Sequence, residues 1–400
     1  MATNRSSSSK PSTRKPTTRK PTETPCPAFL AVKDYAKRYH GMPQDDPAAD
    51  DFMTIWTMGT WTFSPACGAR PYTYPYPWVT GPYGSGKSEY ARNVYGKICR
   101  SPEPITLVTG AALFRIMGDY DPETQSVSNN YPTLLIDEWD ATLQAEGLRG
   151  VMNEGYAEGA TVPRAAGGKT GSIRFPVYGP KMMIGADNGK MPESIETRLI
   201  RVDCVKHSQG ELEDMGIQPM YPWVVDKEQA ELSSMLAEWA KDNAMILRDY
   251  DPKPIDGLTA RQWAMCRSLI QLGKAAGVET RIRKALTDLF SRQPERVDAR
   301  VALYSAIFEV FEDNDTTKVT TRMLLAKLAE SGIGVPGGSG KGLASVLSGD
   351  GITPTYIRID KRSHPGYVEG KTTHRGYHRY QFDAAFVEFL PDVDDDGEDD

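Results

Sequence analysis

The sequence predicts an α/β fold. A parallel sheet carries a phosphate-binding loop, and a helical region and a small winged-helix-like C-terminal module follow it. Three observations predict this. Residues Gly81-Pro82-Tyr83-Gly84-Ser85-Gly86-Lys87-Ser88 match G-x-x-x-x-G-K-[ST] at every fixed position. The apolar run Thr133-Leu134-Leu135-Ile136 leads directly into Asp137-Glu138. Between and beyond them, β-prone runs alternate with helix-compatible ones, the order of parallel βαβ units.

The loop names a ligand by its chemistry. Glycines let successive backbone N–H groups converge on a polyphosphate; the lysine ammonium reaches the phosphates and the serine hydroxyl ligates Mg²⁺. Tyr76–Thr80 reads as the strand before the loop, and Ser88–Tyr95 as the helix after it, with Glu89 just behind the loop. The helix N-terminus adds partial positive charge where phosphates would lie. A buried parallel strand reads as a continuous apolar run, and ligands sit at its carboxyl end. Asp137 is therefore expected to hold the metal with Ser88, and Glu138 to activate the attacking water. Lys87, Ser88, Asp137 and Glu138 together predict ATP hydrolysis. No guanine-reading N/T-K-x-D motif follows Asp137, which favours ATP over GTP.

Composition sets the bounds. With 400 residues the chain has room for two or three domains; charged residues are 25 % and hydrophobic ones 39 %. Cys26, Cys67, Cys99, Cys204 and Cys266 form no C-x-x-C pair, which argues against a zinc site and for a reducing cytoplasm, of a bacterial cell or a phage-infected host. His374 and His378 are spaced i, i+4 with no ligand set nearby and are expected at the surface. No apolar run is long enough for a membrane span. The net charge of −6 hides an asymmetry. Residues 1–25 form a basic Ser/Thr/Pro-rich tail and residues 392–400 an acidic one, both expected to be disordered.

The expected order between the tails is a lead-in region over 26–77, an ATPase core over 78–205, a helical region over 206–315 and the winged-helix-like module over 316–391. Within the core, Ile105–Thr109 reads as the second strand, followed by helix Ala111–Met117. Lys181–Ala186 and Leu199–Asp203 read as the last two. In the C-terminal module, Ile352–Ile359 and Gly376–Phe382 read as strands, with Lys361, Arg362, Lys371, Arg375 and Arg379 in or beside a wing suited to phosphate contacts. Gly337–Gly342 imitates a second phosphate loop but lacks its first glycine and its final Ser/Thr; a linker between helices is expected there.

Two further segments carry functional expectations. Thr161 to Val177 reads as a hairpin with Arg164, Lys169 and Arg174 around its tip, suited to a nucleic-acid backbone. Arg198 stands just before a strand, where an arginine could reach a neighbouring subunit's γ-phosphate, with Arg201 as the second candidate. Asn188 or Asp187, at the end of the preceding strand, suits a sensor of the attacking water or γ-phosphate.

The order of these motifs resembles an uncharacterised domain-of-unknown-function group of P-loop ATPases from actinobacteria and their phages, helicase-like and often attached to primase modules. The resemblance rests on Gly81–Ser88, Thr109–Arg115, Leu134–Glu138, Asn153-Glu154-Gly155-Tyr156 through Thr161, Pro180 through Arg201, and Gly376–Phe382 with its following helix. It spans about residues 50–391. More loosely, the core is similar to AAA+ and superfamily 3 helicase ATPases. The resemblance implies a Mg²⁺-dependent ATPase that forms a homo-oligomeric ring and acts on single-stranded or forked DNA in phage or mobile-element replication. Residues 1–50 are too short for a primase, so priming would need a partner. The alternative is a nucleotide-switched DNA-binding or loading module without unwinding activity.

Overall fold

The computed structural model describes residues 23–390, apart from 107, 122, 125, 144–146, 166–171, 188–190, 293–295, 336–337, 360–361 and 363. Its strands, in chain order, are β1 Tyr76–Thr80, β2 Pro102–Ile105, β3 Tyr120–Asp121, β4 Ser126–Val127, β5 Thr133–Ile136, β6 Thr161–Ala165, β7 Ser172–Pro176, β8 Lys181–Ile184, β9 Leu199–Asp203, β10 Lys318–Thr320, β11 Thr355–Arg358 and β12 Thr373–His378. The chain divides into two compact units at Arg292/Gln293.

The first unit is built on a five-stranded sheet of order β2-β5-β8-β1-β9, with every pairing parallel. The expected α/β class and parallel sheet are therefore present. β1, β5 and β8 are buried along their whole length, as continuous apolar runs require. Successive side chains point to opposite faces, and this alternation splits the core. Val79, Leu135, Met182, Ile184, Ile200 and Val202 join one apolar cluster. Tyr76, Trp78, Leu134, Ile136, Met183 and Leu199 join the other.

The second strand differs from the expectation. It runs over Pro102–Ile105 and pairs only with β5, an edge position where proline is tolerated. The chain turns away after Ile105, because Thr109 is committed elsewhere. Its hydroxyl caps the helix Gly110–Met117 by accepting from Ala112 N at 3.3 Å.

Residues 26–77 are more than a lead-in. They form helices Pro27–Tyr39 and Pro47–Thr60, and the second of these is buried from Ala49 through Thr60. It lies in the same apolar cluster as Leu232 and Leu236 of helix Pro222–Asn243, Leu269 and Leu272 of helix Ala260–Ala275, and Ile282 and Leu286 of helix Glu279–Ser291. The N-terminal segment and the following helical region thus cover one face of the sheet together. On the other face pack Leu113, Phe114, Leu148 and Val151, with Phe175 of the β6–β7 hairpin against them.

Lys181 on β8 is fully buried. Its ammonium donates to the carbonyls of Gly155, Val177 and Gly179 at 2.8, 2.9 and 3.0 Å. Burial pushes its pKa down to about 7, while the three acceptors match the three donors of the charged form.

In the second unit, helix Arg296–Asp313 packs with β10, helices Thr321–Glu330 and Gly340–Leu347, β11, β12 and helix Asp383–Phe389 around Tyr304, Phe311, Val319, Leu343, Tyr377 and Phe382. The sheet order is β10-β12-β11, antiparallel throughout. The expected helical region over 206–315 is therefore divided, because the apolar face of 296–313 belongs to the second core. Ser339 caps Gly340–Leu347 by accepting from Gly342 N at 3.2 Å, so the loop-like glycines end in an ordinary helix start. His374 is buried, contrary to the surface expectation; it lies opposite the buried Ile357, and one ring nitrogen is 3.0 Å from the Lys371 carbonyl. His378 is half-buried.

Gly59 tests the packing around helix Pro47–Thr60. A Cβ there would overlap the Tyr74 hydroxyl and sit 2.6 Å from Leu272 Cδ1. Alanine gains about 1 kcal/mol in helix propensity, but overpacking costs about 1–3 kcal/mol, and Tyr74 is held by its hydrogen bond to the Trp56 carbonyl at 2.5 Å. Gly59→Ala should therefore lower the denaturant midpoint of the first unit. A raised midpoint would refute this packing.

Candidate functional site at the carboxyl edge of the sheet

β1, β5, β8 and β9 end on the same edge of the sheet, where a crevice between diverging loops can take a ligand. β1 runs into Gly81–Ser88, and β5 runs into Asp137-Glu138. β8 leads to Gly185-Ala186-Asp187, and β9 ends in Asp203 followed by Cys204. β8 lies between β1 and β5, so the glycine-rich loop and the acidic turn stand about 10 Å apart, two strand spacings.

The loop requires its glycines. Gly81, Gly84 and Gly86 have φ of 149°, 80° and 74°, the region that side chains with a Cβ avoid. A Cβ on Gly81 would also meet the Cys204 carbonyl and sit 2.8 Å from Ser85 Oγ, and one on Gly86 would sit 2.7 Å from His40 Nε2. Helical bonding begins with Tyr90 N donating to the Gly86 carbonyl at 2.9 Å. The N–H groups of the first turn therefore face the loop without intrahelical acceptors. The helix then widens to i→i+5 bonding over Glu89–Tyr95, a form found chiefly at functional sites. Ser85 Oγ is buried and has no partner among the described residues. Lys87 Nζ reaches back to the Pro82 carbonyl at 3.4 Å and lies 5.2 Å from the ring centre of the exposed Tyr83.

The acidic turn is closed by its own residues. Asp137 is buried. One carboxylate oxygen accepts from Arg92 Nη1 at 3.2 Å and the other from Glu138 N at 3.0 Å. Glu138 has φ 48° and is exposed. The Thr142 hydroxyl donates to the carbonyls of Asp137 and Glu138 at 2.9 and 3.1 Å. The Trp139 indole donates to the Ala186 carbonyl at 3.2 Å, which ties the end of β8 beside the acidic turn. Gly185 must be glycine, since a Cβ would lie 2.6 Å from the Trp139 ring.

The structure brings together Gly81–Ser88, Glu89, Asp137, Glu138 and Asp187. Asn188 and Lys169 lie outside the described residues. Arg201 is held within the chain, with Nη1 2.5 Å from Asp187 and Nε 2.8 Å from Asp203. Arg198 stands at the opposite edge of the sheet, because Leu199 pairs with Tyr76 at the start of β1. Its guanidinium lies 4.4 Å from the Tyr156 ring centre, and its Nε and Nη1 are buried without hydrogen-bond partners among the described residues. In the hairpin, Arg164 stacks on Phe114 at 4.7 Å and Arg174 donates to the Thr161 hydroxyl at 3.3 Å. Among the described residues no group of three or more His, Cys, Asp or Glu side chains converges as a metal cage. Any metal at Asp137 would therefore draw most of its ligands from water and phosphate, the habit of Mg²⁺.

Three site residues carry no local sequence signal. Arg92 is one. His40 is another: its Nδ1 accepts from Met42 N at 3.2 Å and its ring packs on Tyr90 at 5.0 Å. Lys206 lies against Gly84. Only long-range pairing gathers them.

The fold and site define a mixed α/β protein whose parallel sheet presents a glycine-rich loop and an acidic turn on one edge. A family model described as "Protein of unknown function (DUF3631)" matches residues 212–389, less than half of the chain. That stretch is similar to the family; it begins beyond the sheet and includes neither the loop nor the acidic turn. No curated protein matches the chain.

His40 makes this edge acid-sensitive. Burial lowers its pKa from 6.5 to about 4, and His207 adds to the effect. Between those values the unfolded chain binds a proton that the folded chain refuses. The stability is thus present above about pH 6.5 and is lost as pH falls toward 4. The unfolding free energy should drop by on the order of 2 kcal/mol from pH 7 to pH 5 through this group. His40→Gln should remove that part of the slope in urea titrations. Parallel slopes for the two proteins would exclude His40 as its source.

Proposed function

We propose that the first unit is a Mg²⁺-dependent nucleoside triphosphatase of the P-loop type, with ATP as substrate, and that its core is AAA+- or helicase-like. The observation that carries this reading is the apposition of a three-glycine loop and helix start with the buried Asp137, which is held by Arg92 from that same helix. In this reading the loop N–H groups and Lys87 bind the phosphates. Ser88 and Asp137 hold Mg²⁺, whose charge neutralises the phosphate oxygens. Glu138, exposed beside Asp137, takes a proton from the attacking water. Among the described residues Lys87 has a long carbonyl contact and an aromatic face to leave, so its move to a phosphate costs little.

We further propose that the second unit is a winged-helix-like DNA-contacting module. The order of one helix, a short strand, two helices and a two-stranded hairpin supports it. Across the hairpin Tyr356 lies opposite Arg375, both exposed, an aromatic-plus-arginine pairing suited to bases and phosphates. Arg379 is less suited, being paired with Glu312 at 3.0 Å, and Arg362 is near Glu369 at 3.6 Å. Lys361 lies outside the described residues. Hydrolysis would then drive DNA binding or unwinding in a homo-oligomer, with a primase or another replication protein as partner. The inward packing of Arg164 and Arg198 favours keeping a second reading, a nucleotide-switched loader without strand displacement. A forked DNA substrate separates the two, since only the helicase displaces a strand.

Glu138→Gln should reduce ATP turnover about 100-fold or more and leave nucleotide affinity within a few-fold. Wild-type turnover in this variant would refute the assignment of Glu138 and of the acidic turn.

A further inference from the structure

We propose that Lys206 is a second phosphate-binding cation of the loop, acting within the same chain as Lys87; the proposal rests on reading Gly81–Ser88 as a triphosphate site. Beyond β9 the chain runs without regular secondary structure to Ser208, which caps the next helix. Cys204 N still donates to the Thr80 carbonyl at 2.7 Å, so this segment is fastened alongside the start of the loop. Asp203 and Val205 line a cleft of about 760 Å³ bounded by Met42, Pro47, Ala285 and Arg292. The Cys204 carbonyl and the Lys206 side chain lie against the loop instead. The Cys204 carbonyl abuts Gly81, while Lys206 Cε and Nζ lie 3.6 and 3.7 Å from where a Cβ of Gly84 would be.

The charges around Lys206 are accounted for elsewhere. Asp203 is engaged by Arg201 at 2.8 Å and Asp45 by His207 at 2.8 Å. Lys206 is exposed and has no ion pair among the described residues. Both ammonium groups lie on one glycine loop, Lys87 Nζ near the Pro82 carbonyl and Lys206 Nζ near Gly84, at the positive end of a helix. A polyanion on that loop is attracted by both. Lys206 Nζ against Gly84, where no side chain intervenes, is the geometry of direct contact with whatever the loop holds.

The test is the binding of a fluorescent ATP analogue with MgCl₂ to the full chain, with inorganic triphosphate as competitor. Lys206→Met keeps the aliphatic stem and removes the charge. It should weaken the analogue and triphosphate alike by about 10- to 100-fold, leave the melting temperature of the free protein unchanged, and flatten the salt dependence of binding. Lys206→Arg should retain most of the affinity. If the wild type binds, Lys87→Met does not, and Lys206→Met binds like the wild type, Lys206 is only a cover for Gly84 and the proposal is overturned while the site stands. If the wild type binds neither analogue nor triphosphate, the reading of the loop fails and Lys206 falls with it.

Discussion

The buried carboxylate of Asp50 is the constraint on which the first unit depends. It is fully buried on helix Pro47–Thr60. It accepts from the Tyr95 hydroxyl at 2.6 Å and pairs with the buried Lys33 of helix Pro27–Tyr39. Lys33 also pairs with Asp51, which Arg281 of helix Glu279–Ser291 joins at 2.5 Å. Burial pushes the Asp50 carboxyl upward in pKa, and Lys33 draws it back. Such a network is weak evidence for stability, but removing one partner strands a charge in the core. Its consequence here is geometric. Tyr95 closes the wide helix that begins at the glycine loop, so the N-terminal helices fix the helix that aims the loop.

The same helix is set from the sheet side. A Cβ at Gly96 would sit 2.6 Å from Leu135 Cδ1, so glycine there lets the helix end lie directly on β5. β5 ends in Asp137, and Arg92 of the same helix meets that carboxylate. Loop and acid are therefore parts of one packed object: strand, glycine contact, helix and ion pair. Arg92 beside Asp137 also gives the carboxylate a positive partner that a divalent cation would have to displace or share. Under the proposed function, charge on Arg92 would thus be coupled to the affinity of Asp137 for Mg²⁺.

Legibility followed sequence distance. The glycine loop, β1, β5, β8 and β9 could be read locally, because special φ values demand glycine and buried parallel strands demand continuous apolar runs. β2 is displaced from the expected Ile105–Thr109, the more β-prone run, to Pro102–Ile105; the cap at Thr109 and the tolerance of an edge strand for proline decide the matter. Helix Pro47–Thr60 lacks a local signature because it is buried on all sides, with Asp50, Asp51 and its threonines enclosed too, and a helix buried all round loses the 3.6-residue pattern. Helix Arg296–Asp313 reads like its neighbours in sequence, yet its apolar residues Tyr304 and Phe311 meet Phe382 in the second unit. His40, Arg92 and Lys206 belong to the site only through contacts with Gly86, Asp137 and Gly84, which no local pattern encodes.

Arg198 shows what topology adds to a motif. β9 runs parallel to β1, with Leu199 beside Tyr76 and Asp203 beside Thr80. Arg198 therefore stands a full five-residue strand, about 16 Å, from the start of its own glycine loop. No rotamer brings it to that loop, so a role at a phosphate would have to be played on another copy of the chain. Its surroundings set the terms. The guanidinium stacks on Tyr156 with two nitrogens unpartnered among the described residues, and burial lowers its pKa, with Arg261 adding to the effect. A buried donor without an acceptor costs about 1–3 kcal/mol, and an anionic group from outside the chain would relieve it. Arg201, with two carboxylates already in place, has no such need, and that difference separates the two arginines where their sequence positions alone did not.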